Sequence, residues 1–393
     1  MKFEKWTVGL AAVGAFSLAC SANAEGKAST VMTALSSTTL SGYVDTSAQW
    51  NFGSGNARLP DYKFGGGDKA DGFNLNVIQL RLEKPLDEAE WAAGYRVDLW
   101  AGPDANTLGT ASTLSTGSSD FAVRQAYVAL RMPFGNGIDW KVGVFDSILG
   151  YESVESGNNP NFTRSYGHSI EPQTHTGVLG SYRFNDMISV SGGIANTAGG
   201  PTINGRDRIE SRKTYMASGA FTAPDTWGFL SGSTLYAGIV NGFNSGYGEI
   251  QTSYYLGGTI ATGITGLRFG GALDVFNAKN FSGETWTVAG YGSYQATEKL
   301  SLHMRAEYLR DRGDQKFFAF DDGTGTFIST NPDRVFALTT TVQYDLWKNV
   351  ISRLELRWDH SLSGEKTWGG DDVTVGPSRL NEWLLAANLI YKF

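Results

Sequence analysis

Charged side chains recur at every second position in several segments of the sequence. Arginines and carboxylates lie two residues apart in four such segments: Arg81 and Glu83; Arg96 and Asp98; Arg305 and Glu307; and Arg353, Glu355, Arg357 and Asp359. Alternate residues of a β-strand point to the same face, so each set would line one polar wall. Such a wall could set a transverse field that selects ions, or its salt bridges could brace the sheet. Further charges in the same phase are Lys141, Arg183, Arg268 and Asp274.

The sequence offers no pattern typical of catalysis or of metal binding. It contains no G-x-S-x-G motif, and its four histidines, at 168, 175, 303 and 360, are scattered. His168 and His175 lack a further ligand at metal spacing. Residues 321–325 (DDGTG) could bind Ca²⁺, but an ordinary polar turn is the simpler interpretation. We therefore expect no enzyme activity, no cofactor and no metal site.

The elements that must carry these charges are β-strands with one apolar and one polar face. Most are near the length of 9–11 residues that a tilted transmembrane strand requires, and short turns alternate with long loops between them. This pattern predicts a transmembrane, antiparallel, up-and-down β-barrel of about 16 strands. The predicted strands are 38–52, 73–84, 90–101, 120–132, 138–146, 174–184, 187–197, 213–222, 231–242, 251–261, 265–276, 284–295, 299–310, 333–345, 350–361 and 380–393.

A soluble β-sandwich or β-propeller would also show alternating faces. Sandwich strands are shorter, however, and a propeller should repeat about every 40–50 residues, which this sequence does not. Composition narrows the choice further. The chain has 393 residues with 50 Gly, 1 Cys, 13% aromatic and 18% charged residues, and a net charge of -7. These values argue against intrinsic disorder, a disulfide scaffold and a nucleic-acid-binding protein.

The first 24 residues have the organisation of a secretory signal peptide. Lys2 and Lys5 precede an apolar segment at 6–19, and residues 22–24 form an A-x-A cleavage site. Acylation of Cys20 is the alternative, disfavoured because Ser17 stands where lipoprotein signals usually carry Leu. We expect cleavage after Ala24, then a short N-terminal segment at 25–37 and a barrel over 38–393. No later stretch has the roughly 20 apolar residues of a membrane-spanning helix.

Seven short motifs together resemble the OmpL-like β-barrel porin family of Gram-negative bacteria. They are LRLEKP at 80–85, VDLWAGPDA at 97–105, RQAYV at 124–128, GVFD at 143–146, GYE at 150–152, NFTRSY at 161–166 and HTGV at 175–178. The resemblance covers the mature chain and is specific as a set. It implies an outer-membrane channel without naming a solute. The last strand, which ends on Phe393, is similar to the strand by which Gram-negative barrels are recognised for assembly.

In general diffusion porins, the third long loop folds into the barrel and narrows it. The corresponding loop here spans 146–173 and carries Glu152, Glu155, Arg164 and Glu171. We expect it to form the constriction, with Arg164 and Glu171 facing charges on the wall. The alternative is a surface loop packed over the barrel mouth. The acidic, aromatic-containing pattern typical of this loop in porins is absent.

The sequence thus predicts an outer-membrane porin that forms a water-filled channel for passive diffusion of small hydrophilic solutes or ions. The alternatives are a solute-selective channel of the same fold and a non-conducting anchor or adhesion barrel. Expected partners are outer-membrane lipid and lipopolysaccharide, the barrel-assembly machinery through Phe393, small solutes and, by analogy, two further copies in a homotrimer. The wall charges are near balance, and the negative total of the chain favours cations weakly.

Overall fold

Sixteen strands close into a single antiparallel barrel in the part of the chain that the structure describes. The computed structural model describes residues 37–53, 55–64, 69, 71–108, 119–200, 202–206, 212–245, 248–278, 284–312, 317–321, 327–329, 332–370 and 376–393. The predicted fold class is confirmed. The predicted signal peptide, the segment at 25–36 and most of the 321–325 turn lie outside the described residues.

The barrel strands follow the predicted segments to within a few residues. They are β1 (Thr39–Asn51), β2 (Gly72–Lys84), β3 (Ala93–Ala101), β4 (Phe121–Met132), β5 (Ile138–Asp146), β6 (Thr174–Arg183), β7 (Ile188–Ala195), β8 (Thr214–Thr222), β9 (Thr234–Asn244), β10 (Glu249–Ala261), β11 (Leu267–Ala278), β12 (Glu284–Gln295), β13 (Leu300–Asp311), β16 (Arg334–Trp347), β17 (Val350–Ser361) and β18 (Asn381–Lys392).

Short elements decorate the connections between these strands. A hairpin of β14 (Ala319–Asp321) and β15 (Phe327–Ser329) lies between β13 and β16. The helices are α1 (Pro103–Asn106) and α2 (Tyr166–Ile170), with 3-10 turns at Ser156–Asn158 and Asp225–Leu230. None of the helices that the structure describes is long and apolar enough to cross a membrane.

The first and last strands complete the barrel. β1 pairs with β2 on one side and with β18 on the other. The Phe393 amide donates to the Gly42 carbonyl, and the Gly42 amide donates to the Phe393 carbonyl, both at 3.0 Å. A closed sheet leaves no unpaired strand edge, which is the condition for strands to exist in hydrocarbon.

The alternation of the sequence becomes an apolar outside and a largely polar inside. In β13, the outward Leu302 and Met304 are 42% and 50% exposed, whereas the inward Arg305 and Glu307 are buried. Lipid would cover the outward set. The inward set is buried by protein, so something must occupy the lumen beside β13.

The two ends of the barrel differ in the length of their connections. One end has tight turns, such as 348–349 between β16 and β17, where Asn349 adopts a positive φ of 65°. The other end carries long loops, of which L1 (residues 52–71) and L3 (residues 147–173) matter most for the lumen. In barrels of this kind the short turns are periplasmic and the long loops extracellular.

Candidate functional site

Loop L3 enters the lumen and contacts the wall around most of its circumference. Its two ends meet where the Ser147 amide donates to the Gln173 carbonyl at 2.9 Å. Between them, Asn161 Nδ2 donates to Thr341 Oγ1 on β16 at 2.7 Å. The Tyr166 amide donates to Glu307 on β13 at 2.7 Å. L3 therefore spans the inside of the barrel, as the sequence predicts, and does not lie over its mouth.

Glu155 anchors the middle of L3 to an arginine cluster on β2, β3 and β4. Its Oε1 lies 3.0 Å from Arg124 Nη1 and 3.2 Å from Arg96 Nη2, and it also contacts Arg81. Asp98 completes the cluster, at 2.8 Å from Arg81 Nε. Burial alone would raise the pKa of Glu155, but the three arginines outweigh it and lower that pKa to about 2. Glu155 is accordingly an ionised anchor.

A β-bulge brings Arg124 into this cluster. The register of β3 against β4 shifts between Asp98 and Leu99, because Asp98 pairs with Gln125 and Leu99 with Val123. The extra residue lets Arg124 and its neighbour Gln125 both reach Asp98 Oδ2, each at 3.0 Å. Bulges re-aim side chains in this way. Strict alternation puts Arg124 on the outer face, so spacing alone does not predict that it lines the lumen.

A second cluster on β13 and β17 holds the two arms of L3. Arg305 bonds Glu152 of L3 at 2.8 Å and Glu307 of its own strand at 2.9 Å, and its Nη1 also donates to the Thr163 carbonyl at 2.8 Å. Arg357 pairs with Asp359 at 2.9 Å. Arg305 and Arg357 are both fully buried, so this part of the charged wall is covered by the loop.

β17 supplies further contacts to the tip of L3. Glu355 accepts from the amides of Phe162 at 2.6 Å and Thr163 at 2.9 Å. Arg353 donates to the carbonyls of Ser156 at 3.0 Å and Asn159 at 2.6 Å. A carboxylate satisfies loop amides here, and a guanidinium satisfies loop carbonyls, so the polar backbone of L3 needs no water on this side.

Arg164 lines one cavity with Asp45 of β1 and with Asp104, but its guanidinium bonds the loop and not these wall charges. Its guanidinium donates to the carbonyls of Ser153 at 3.1 Å, Phe162 at 2.9 Å and Val154 at 3.0 Å. It forms no ion pair with any residue that the structure describes. The reason is local: the loop folds back on itself, and Arg164 fills the turn, so it satisfies carbonyls that would otherwise be buried without a donor.

Glu171 does face a wall charge, but one of the same sign. Its carboxyl lies beside that of Asp274 on β11, and burial together with this neighbour raises the pKa of Glu171 well above its usual range. His168 Nδ1 lies 3.6 Å from Glu171. Burial, with Arg164 and Lys63 nearby, lowers the pKa of His168.

The remaining predicted residues lie away from these clusters. Arg183 pairs with Asp186 at 2.9 Å on a tight turn, where the two side chains are 38% and 98% exposed. Lys141 on β5 and Arg268 on β11 are half-buried on the inner face. Lys141 Nζ lies 5.0 Å from the Tyr127 ring centroid. Neither Lys141 nor Arg268 forms an ion pair within the described ranges.

The wall opposite the charged clusters is apolar and is also covered by L3. Tyr236 on β9 donates through its hydroxyl to the Ile148 carbonyl. Tyr151 stacks on Tyr291 of β12 with ring centroids 4.0 Å apart. The side chains buried here are Phe145, Ile148, Leu149, Leu179, Ala195, Ala198, Met216, Tyr236, Val240, Tyr255, Ala272, Ala289 and Tyr291. Sequence reasoning missed this cluster because inward positions of a wide barrel were assumed to be wet.

No site for a metal ion is apparent within the described residues. They contain no group of three or more His, Cys, Asp or Glu side chains placed to hold one. The carboxylates that do converge, such as Asp98 with Glu155, share arginines, and their oxygens are occupied by those partners.

Solved structures with a similar fold are outer-membrane proteins. OmpF of Salmonella typhi in complex with daunomycin aligns with a TM-score of 0.57 and 14% identity, covering 91% of this chain and 97% of that one. The outer membrane channel DcaP of Acinetobacter baumannii gives 0.55 and 12%, with 91% and 97% covered. The anion-selective porin from Comamonas acidovorans gives 0.54 and 11%, with 91% and 99% covered. At these identities the likeness concerns the fold.

Comparison with curated protein sequences found no match. The sequence profile of one protein family, described as "Putative beta-barrel porin-2, OmpL-like", matches residues 37–393. This is the whole of the barrel, and it agrees with the resemblance seen in the motifs. The chain therefore belongs to the OmpL-like β-barrel porins and is a porin of the outer membrane.

Proposed function

We propose that this porin is a narrow channel whose constriction is L3 and which passes small hydrophilic solutes by diffusion. The observation that carries the proposal is the double anchoring of L3. Glu155 is bound to Arg81, Arg96 and Arg124 on β2, β3 and β4, and Glu152 is bound to Arg305 on β13, with β16, β17, β18 and β1 between the two anchors. Barrels of about 16–18 strands leave an aqueous channel unless something fills them. A loop fixed at two separate places on the wall must set the width of what remains.

Inward side chains differ in burial between the two halves of the barrel, and this difference favours a selective channel over a wide diffusion pore. In the extracellular half of the strands, inward side chains such as Gln49, Trp100 and His175 are buried. In the periplasmic half, inward side chains such as Lys141, Ser218 and Arg268 are half-buried. The half-buried positions support a vestibule that opens to the periplasm beside β5, β8 and β11 and narrows at L3. A non-conducting anchor would need no such vestibule.

The charges left accessible in the vestibule favour anions over cations. Most wall charges form ion pairs in the buried clusters with L3: Asp98 and Glu155 with Arg124, and Glu152 and Glu307 with Arg305. Lys141 and Arg268, in contrast, have no carboxylate partner among the described residues. Fixed charges that line a pore select for ions of opposite sign. Asp345 of β16 is a half-buried inward carboxylate at the same end, so the two cations face one anion and the balance still argues against the weak cation preference expected from the net charge.

Removal of these two cations tests the selectivity. We expect the double variant Lys141→Gln/Arg268→Gln to lower the anion-to-cation permeability ratio, measured from the reversal potential of purified channels in a planar bilayer under a KCl gradient. Arg183→Gln is the matched control, because it removes one positive charge at an exposed turn and should leave the ratio unchanged. An unaltered ratio in the double variant contradicts the assignment of Lys141 and Arg268.

We also infer export by a signal peptide cleaved after Ala24, which intact-mass measurement of the purified protein tests directly.

Assembly through the C-terminal strand is supported by Phe393, whose ring stacks with Tyr391 at 6.5 Å and is 38% exposed on the outer face.

A homotrimer is supported by a similar barrel, OmpT of Vibrio cholerae, whose structure is described as a trimer form. Native mass spectrometry should then give three chains per particle.

A further inference from the structure

The outer face of the barrel carries very few charges. Among strand residues whose side chains are described, the outward positions hold Lys84, Arg310 and Arg334 and no carboxylate. Lys84 ends β2 at the tight-turn end of the barrel. Arg310 and Arg334 lie at the other end, next to the fully buried inward residues Leu309 and Val335. Two of the three outward charges are therefore together at the extracellular rim.

The strand register places the two arginines side by side. Arg310 of β13 is the direct partner of Arg334 of β16. Side chains opposite one another on the same face have Cβ atoms about 4.5–5.5 Å apart, and like charges there are destabilising. Neither guanidinium forms an ion pair with any residue that the structure describes. Within the described part of the chain, no ion pair thus compensates the two positive charges.

Arg334 is also incompletely bonded. Its Nη2 makes one long contact of 3.4 Å to the Leu362 carbonyl. Its Nε is buried and has no hydrogen-bond partner. A buried donor without an acceptor is costly, and a guanidinium normally uses several of its five donors. Because Nε is shielded by protein, an acceptor from outside the barrel can reach only the Nη groups of this guanidinium.

Aromatic side chains place this pair at the surface of the membrane. Trp286 is the register partner of Arg310, and its ring lies 5.3 Å from that of Tyr308. On the other side, the Phe336 ring lies 6.0 Å from that of Trp358, which stacks on Trp383 at 5.7 Å. Tryptophan and tyrosine mark the headgroup level of a bilayer. At the long-loop end, that level belongs to the outer leaflet.

We propose that Arg310 and Arg334 form a binding site for a phosphate of an outer-leaflet glycolipid, of the lipopolysaccharide type. Guanidinium groups bind phosphate through paired, charge-assisted hydrogen bonds, and two of them match its charge. The aromatic side chains beside them would contact acyl chains and sugar rings. The inference depends on the outer-membrane placement of the barrel and is independent of what passes through its lumen.

The test compares binding of purified lipopolysaccharide by the detergent-solubilised, full-length barrel and by its variants. We expect the wild-type barrel to bind it and to gain thermal stability on binding. Arg310→Gln/Arg334→Gln should weaken binding about tenfold or more, as expected for loss of charge-assisted bonds. Lys84→Gln, which removes the outward cation at the opposite end, is the matched control and should bind like wild type. Heat-shifted gel mobility checks that each variant is folded.

Two further arms identify the ligand group. Lipopolysaccharide stripped of its phosphates should bind as weakly to wild type as the intact lipid does to the double variant. Millimolar inorganic phosphate should not displace the intact lipid; if it does, the site is a free-anion site and the proposal is wrong. Equal binding by wild type and the folded double variant would also overturn it. Single-channel conductance should be the same in both, which separates this result from the channel proposal.

Discussion

At the scale of single residues, the lumen is organised by buried charges that bind a loop to its wall. Arg305, Arg357 and Asp98 are almost completely buried, and each has partners of opposite charge within 3.0 Å. Loss of one partner from such a cluster leaves the others buried and uncompensated, which is far more costly than loss of an exposed ion pair. These residues therefore hold L3 in place, and they affect permeation through the position of L3.

Arg305→Gln tests this reasoning directly. It leaves Glu152 without its arginine and Glu307 with only Arg357, at 3.6 Å, and should lower the free energy of unfolding by about 3–5 kcal/mol. Arg183→Gln, at an exposed pair, should change it by at most about 1 kcal/mol. Both values follow from equilibrium unfolding of the refolded protein in detergent micelles. Similar losses in the two variants would mean that the buried cluster is not an anchor.

Glu155 gives a prediction for pH. Its pKa is lowered to about 2, so its stabilising contribution is fully present above the usual carboxyl pKa and is lost as the pH falls through about 2. The difference in melting temperature between wild type and Glu155→Gln should stay constant from neutral pH to about 5 and then shrink with further acidification. A difference that already changes between pH 7 and 6 would contradict the ionised anchor.

Alternation along the strands predicts some residues of the site and not others. Alternation alone places Arg96, Asp98, Arg305 and Glu307 on the inner face. It misplaces Arg124, because a bulge adds one residue to β4. The partners of Arg164 depend on the path of L3, which spacing does not encode.

At the scale of elements, the strands position L3, and Gly270 of β11 lets L3 approach the barrel wall closely. A Cβ on Gly270 of β11 would overlap sterically with the Tyr151 hydroxyl and ring. Tyr151 is in turn stacked on Tyr291. β11 thus carries no side chain at the position where Tyr151 of L3 crosses it. Sequence periodicity identifies β11 but cannot show why a glycine stands at this position.

Substitution of this glycine should displace L3 without unfolding the barrel. In Gly270→Val the new side chain collides with the movable end of Tyr151, so we expect the stack to open and the single-channel conductance to rise. Gly271→Val is the matched control one residue along, where the nearest atom to a new Cβ is the Ala289 carbonyl oxygen at 3.8 Å. Equal conductance in the two variants would show that this contact does not set the width of the pore.

At the scale of the whole molecule, the protein is a 16-stranded barrel with a loop built into its lumen. The barrel is predictable from sequence, because two solvents, lipid and water, impose alternation on every strand. The filling of the lumen by L3 is not predictable from the sequence. Inward positions such as Leu179, Met216 and Tyr255 are apolar because L3 covers them, and a long-range contact of that kind leaves no periodic trace in the sequence.

The most direct test of the account is the single-channel conductance of a barrel that lacks residues 152–168, replaced by a short Gly-Ser linker. The deletion removes Glu152, Glu155 and Arg164 together and leaves all sixteen barrel strands intact. If L3 is the constriction, conductance in a planar bilayer should rise severalfold over wild type, and the anion preference should weaken as the pore widens. Unchanged conductance in the folded deletion variant would show that L3 is not the constriction.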